Sequence, residues 1–150
     1  MFTGLLHIHS LFRYLILIFL LIAIYKAFTG WLGKKPFTKS NKTMNLMSLI
    51  FAHSQLLFGI WVYAQSPVVQ FSNLSNATKE VRFFTMEHGV MMIIAILLIT
   101  LGYSLSKKGA TDEAKHKRIA IFYLLALILI LIAIPWPCGP FVVRGWMPGM

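Results

Sequence analysis

Acidic side chains are scarce in this chain: four Asp and Glu stand against fourteen Lys and Arg, a formal net charge of +10. No carboxylates are paired as hydrolytic acid–base chemistry needs, and neither a G-x-S-x-G elbow nor H-E-x-x-H occurs. No catalytic residue is assigned. Cys138 is the single cysteine, so no internal disulfide can form. Without C-x-x-C or C-x-x-C-H, thiolate zinc sites and covalent c-type haem attachment have no support. The basic excess invites a nucleic-acid reading. The cations, however, cluster in two short loops between apolar runs, where membrane proteins concentrate them. Nucleic acid is therefore not an expected partner.

Apolar length is what the chain has in abundance. It is 58% hydrophobic over 150 residues, more than a soluble domain of that size can bury. The expectation is one integral membrane domain, residues 1–150. Four apolar runs, Leu5–Tyr25, Thr43–Ala64, Phe83–Leu105 and Ile119–Trp136, each approach the ~20 residues that cross a hydrocarbon core about 30 Å thick. The first run has no basic n-region and no small-residue cleavage site, so it reads as a span rather than a removed signal. Short loops favour an all-α, up-down-up-down four-helix bundle.

Charge sets the expected orientation. The first loop holds Lys26, Lys34, Lys35, Lys39 and Lys42 without an acid. The third holds Lys107, Lys108, Lys115, Lys117 and Arg118 against Asp112 and Glu113. These two loops are expected in the cytoplasm, with both termini and the polar second loop extracytoplasmic. Prolines in Pro135-Trp-Pro-Cys-Gly-Pro stop the last helix. Trp31, Trp61, Trp136 and Trp146 lie at or beyond span ends, as an aromatic belt would.

Helix–helix faces in a membrane favour small and polar residues. Spacing of three and four picks one stripe per span: His9, Arg13, Ile16, Leu20, Ala23; Asn45, Ser48, Ala52, Gln55, Gly59; Thr85, His88, Met92, Ala95, Ile99, Gly102; and His116, Ile119, Tyr123, Ala126, Ile130, Ala133. His53 sits one position off the second stripe. By helical rise, His9 and His88 both lie roughly 9–10 Å outward of the midplane. The first and third helices of such a bundle are diagonal, so the two imidazoles can face each other across the interior.

Ionisable groups at membrane depth point to function. Two neutral imidazoles on opposite sides can hold a haem iron, and filling both axial positions favours electron transfer over oxygen binding. His9 and His88 are the preferred ligands of the haem iron and His53 the substitute. Glu87, the only acid in a span, is the expected partner of Arg13, as a buried ion pair or a proton relay with His53; a haem propionate is the other candidate for Arg13. Tyr14 and Gln55 can donate further hydrogen bonds. Against this stand plainer roles: His7 as an interfacial residue, His116 as part of a basic surface cluster, and the other histidines as hydrogen-bonding groups between helices.

The stretches Leu6-His-Ile-His-Ser-Leu-Phe-Arg-Tyr, Phe51-Ala-His-Ser-Gln-Leu-Leu-Phe-Gly, Met86-Glu-His-Gly-Val-Met-Met and Ala114-Lys-His-Lys-Arg-Ile-Ala-Ile-Phe resemble a family of small four-span inner-membrane proteins of Bacteroidetes-type bacteria, commonly labelled "cytochrome B". A broader likeness is to four-helix membrane cytochromes such as the cytochrome b561 group, which use four histidines for two haems. The resemblance implies a bacterial inner (cytoplasmic) membrane location and a b-type cytochrome carrying haem b. It also implies electron transfer, with quinone or within a larger respiratory complex. Only His116 lies near the cytoplasmic face, so one haem is expected rather than two. The alternatives are a non-redox accessory or assembly subunit of a larger membrane complex, and a small proton-relay or transport protein using Glu87 and His53.

Overall fold

Helix α1 runs without interruption from Phe2 to Leu32 in a computed structural model that describes residues 1–139 and 142–149. Its length, about 46 Å at 1.5 Å per residue, exceeds a hydrocarbon core. It ends in a Schellman-type motif: the Lys35 N–H reaches the Gly30 carbonyl at 2.9 Å and the Lys34 N–H reaches Trp31 at 3.3 Å. Lys34 closes the motif at φ 49°, a position where glycine is usual.

Helix α2, Lys39–Gln65, starts at Thr38, whose backbone N–H (3.2 Å) and hydroxyl (2.6 Å) both donate to Asn41 Oδ1. The third span is one continuous helical run in three parts: α3 (Lys79–Arg82), a π-helical turn (Phe83–Glu87) and α4 (His88–Lys107). Thr78 caps it by accepting from the Val81 N–H at 3.3 Å. Helix α5, Asp112–Ala133, is capped by Thr111, which accepts from Ala114 N–H at 3.1 Å. Asp112 and Glu113 in its first turn suit the positive end of the helix dipole. Arg118 donates to the Leu105 carbonyl at 2.6 Å, which also accepts from the Lys108 N–H at 3.1 Å where α4 ends.

Among the described residues, four helices are long and apolar enough to cross a membrane: Phe2–Leu32, Lys39–Gln65, Lys79–Lys107 and Asp112–Ala133. The first three contain the expected spans and overrun them, because polar helix formers carry the backbone on beyond the apolar stretch. The fourth stops at Ala133 rather than Trp136. Pro135 and Pro137 cannot continue the ladder of N–H donors, and Ile134 is already extended at ψ 129°. Pro140, the last proline expected to enforce this stop, lies outside the described residues.

Helix α1 packs against α2 and α5, and α4 packs against α5 and α2, so the first and third spans are diagonal. The buried faces follow the small and polar stripes. Ile16, Leu20 and Ala23 meet Asn45, Ser48 and Ala52, with Ala95, Ile99 and Gly102 from α4 and every stripe position of α5 from His116 to Ala133. Small residues let backbones approach: a Cβ built on Gly102 would lie 2.6 Å from Phe122 Cβ. At the centre, Tyr123 is fully buried and its hydroxyl donates to the Asn45 carbonyl at 2.8 Å. Outside, large aliphatics such as Leu21, Ile50, Leu97 and Leu131 are exposed. Water penalises such a coat; lipid solvates it.

Candidate functional site

The end of α5 builds the first half of the site. In a continuing helix the carbonyls of Leu131 and Ala133 would accept from residues 135 and 137, but both are prolines and carry no N–H. The two carbonyls are taken by side chains instead. Trp136 Nε1–H donates to Leu131 at 2.9 Å, and His88 Nδ1–H donates to Ala133 at 2.8 Å. The second bond joins α4 to α5. It also makes Nε2 the lone-pair nitrogen of a neutral His88 ring.

The π turn aims His88 from its own side. The His88 N–H closes onto the carbonyl of Phe83, five residues back. The wider turn leaves acceptors free, and Tyr63 of α2 donates its hydroxyl to the Thr85 carbonyl at 2.7 Å. π turns recur at functional positions of helices. The rings of Phe83 and Phe84 flank the imidazole, with centroids 5.7 and 6.1 Å away.

His9 comes from the diagonal helix α1 and lies within electrostatic reach of His88 and Arg13. Its Nε2 lies 3.4 Å from the side-chain amide nitrogen of Gln55, beyond the usual range of a good hydrogen bond. Its Nδ1 is buried without a partner among the described residues. Gly59 leaves room for the ring, since a Cβ there would come within 3.2 Å of His9 Cε1.

Arg13, one turn further along α1, reaches the chain's C-terminal tail. Its Nη2 donates to the Trp146 carbonyl at 2.6 Å and to the Tyr14 hydroxyl at 3.1 Å, while Tyr14 donates to the same carbonyl at 2.8 Å. The guanidinium also lies over the Trp136 ring, 5.7 Å from its centroid, and Trp136 packs on Trp146 at 5.6 Å. Arg144 forms an ion pair with Glu80. The tail thus crosses the opening left where α5 stops short.

The expected Arg13–Glu87 ion pair is not formed. Glu87 accepts from Arg82 Nε at 3.1 Å, five residues earlier and brought alongside by the π turn. Arg13 has no carboxylate partner among the described residues, and its Nε is buried and unpartnered. The expected substitute ligand, His53, stays out of the group as well. It is exposed, with Nδ1 2.9 Å from the Leu49 carbonyl on its own helix. Its neighbour Ala52 takes the inward face, and one residue is about 100° of helix rotation. His7 is exposed too. His116, expected in a basic surface cluster, is only 1% exposed; it lies at the opposite, basic-loop end on α5's inward stripe.

The structure therefore brings together His9, His88, Arg13, Tyr14 and Gln55, and leaves out His53 and Glu87. The Ala133 carbonyl and the Trp136–Trp146 cover were not foreseen. The proline pair two residues apart was their signal. Among the described residues no three His, Cys, Asp or Glu side chains converge as metal ligands. The donor set at this end is a pair of imidazoles with a guanidinium beside them. That set suits a flat, apolar, anion-bearing group such as haem: one imidazole is fixed with Nε2 presented as lone pair, the other is loosely held, and the guanidinium lacks a counter-charge. The chain matches no known protein family, no curated protein and no solved structure.

Proposed function

We propose that the chain is a b-type cytochrome-like electron-transfer protein of the bacterial inner membrane, with both termini extracytoplasmic and one haem b held by His9 and His88. Quinone, or a larger respiratory complex of which this is a small subunit, would be the partner. The observation that carries the reading is the pairing of two imidazoles from diagonal helices beside an arginine with no carboxylate. Held by His9 and His88, haem would supply one-electron transfer. The chain's own residues do the rest. The Ala133 carbonyl accepts from His88 Nδ1–H, which fixes the ring and makes Nε2 the stronger electron-pair donor. Arg13 would meet a propionate in a charge-assisted hydrogen bond. Phe83, Phe84 and the tail with Trp146 keep water from the site. Among the described residues His116 is the one histidine lining a cavity at the basic-loop end, which supports one haem rather than two.

The test is the reduced-minus-oxidised absorption spectrum of detergent-solubilised protein from haem-replete cells. A haem b spectrum is expected, lost in His88→Ala and in His9→Ala and retained in His53→Ala. Colourless wild-type protein overturns the reading.

A second reading, a non-redox accessory or assembly subunit, is favoured by α2. Only 11% of its most apolar stretch is buried, against 28–44% in the other spans, and the exposed His53 lies on that uncovered side. A polar ring facing hydrocarbon gains from a partner helix. Co-purification with a larger membrane complex, lost in His53→Leu while the protein itself stays colourless, would select this reading.

A further inference from the structure

At the basic-loop end, α1, the first loop and the starts of α2 and α5 line a half-open cavity of about 380 Å³. Lys26, Thr29, Gly30, Lys35, Asn41 and His116 are among its lining residues, and no carboxylate is. His116 is the unusual member. Its side chain is 99% buried, given a relative exposure of 1%, and both ring nitrogens lack a hydrogen-bond partner among the described residues. A neutral imidazole has one donor and one acceptor to satisfy, and a buried ring leaving both unmet is rare.

Packing holds the ring in place. The Gly30 backbone lies directly against it, so that a Cβ there would sit 2.3 Å from Cε1, and Phe37 stands edge-on at 5.0 Å. The ring therefore cannot turn away to find a partner elsewhere. Two lysines and an unsatisfied imidazole surround the space, and the carboxylate near His116, Asp112, is engaged by Lys115 and the Phe37 backbone outside the lining, which leaves an anion site. Its size and its position at a span end suit a phosphate-bearing head.

We infer that this cavity binds an anionic phosphate group, with His116 contacting the phosphate oxygens and Lys26 and Lys35 supplying the charge. The phosphodiester headgroup of an anionic phospholipid and free phosphate share this chemistry. Lys26 and the exposed Tyr25 both line the cavity near the basic-loop end of α1.

The test uses the full chain purified in detergent, with dioleoylphosphatidylglycerol, dioleoylphosphatidylcholine or inorganic phosphate added separately. Retained lipid is read by native mass spectrometry, and the midpoint of thermal unfolding is read for all three. The expected result is preferential retention of phosphatidylglycerol over phosphatidylcholine. Replacing both cavity lysines (Lys26→Gln with Lys35→Gln) should weaken retention by about tenfold or more, while Lys107→Gln with Lys108→Gln, outside the cavity, should not. Stabilisation by inorganic phosphate alone, lost in the cavity variant, would assign the site to the free anion. A ¹⁵N shift of the His116 ring on ligand addition gives a readout in unmutated protein. Equal retention of the two lipids without a phosphate effect, equal loss in both lysine variants, or unmoved His116 resonances would overturn the proposal.

Discussion

His88 Nδ1 lies 2.8 Å from the carbonyl of Ala133, and that carbonyl is free because the residue four positions on is Pro137. A helix end, a proline and a side chain on another helix thus form one unit. Replacing His88 with Ala should strand the carbonyl and cost about 1–3 kcal/mol of stability. Pro135→Ala with Pro137→Ala restores N–H groups that compete for the Leu131 and Ala133 carbonyls, so α5 should lengthen and the grip on His88 loosen. Thermal unfolding in detergent reads the first effect; amide exchange at residues 131–137 reads the second.

Gly30 and Gly89 form a contrasting pair. A methyl on Gly30 collides with the His116 ring, whereas a Cβ on Gly89 meets nothing within 4 Å. Gly30→Ala should destabilise by about 1–3 kcal/mol through overpacking. Gly89→Ala, in a helix interior, should stabilise by about 0.5–1 kcal/mol. Parallel melts of the two variants check the difference in sign.

Lys34 ends α1 in a left-handed conformation, φ 49°. An L side chain pays a steric cost there that glycine avoids. Lys34→Gly should raise stability by about 0.5–1 kcal/mol, visible as a higher unfolding midpoint.

Arg13 ties the tail down through the Trp146 carbonyl. Arg13→Leu should release it. The tilted Trp136–Trp146 pair would separate, with red-shifted tryptophan emission and faster proteolysis after residue 142. Unchanged emission and unchanged cleavage would mean that the Tyr14 hydrogen bond, the Trp136–Trp146 contact and the Arg144–Glu80 ion pair hold the tail without Arg13.

Much of the bundle was legible in the sequence. Hydropathy marks the four spans, and the small and polar stripe of α2, Asn45–Ser48–Ala52, turns inward because such residues let helices approach. Counting residues put His9 and His88 at one level. Phase was harder. His53 and Ala52 differ by one position, about 100° around the helix, and Ala52 won the inward face. Arg13–Glu87 was inferred by elimination among span residues, which overlooked Arg82 just before the span. The charged neighbours of His116 suggested a surface residue, although its place on α5's buried stripe said otherwise. The Ala133 acceptor belongs to the backbone, which side-chain patterns do not display. Only the missing N–H groups of Pro135 and Pro137 hinted at it.

The wide turn at Phe83–Glu87 takes up one residue without a regular step, so the halves of the third span are wound out of phase. Deleting a single residue there would swing the loop-side half around its axis while residues 90–107 kept their neighbours. Small insertions or deletions in this turn would therefore reset Phe83, Phe84 and Thr85 around His88, while α4 keeps its own packing.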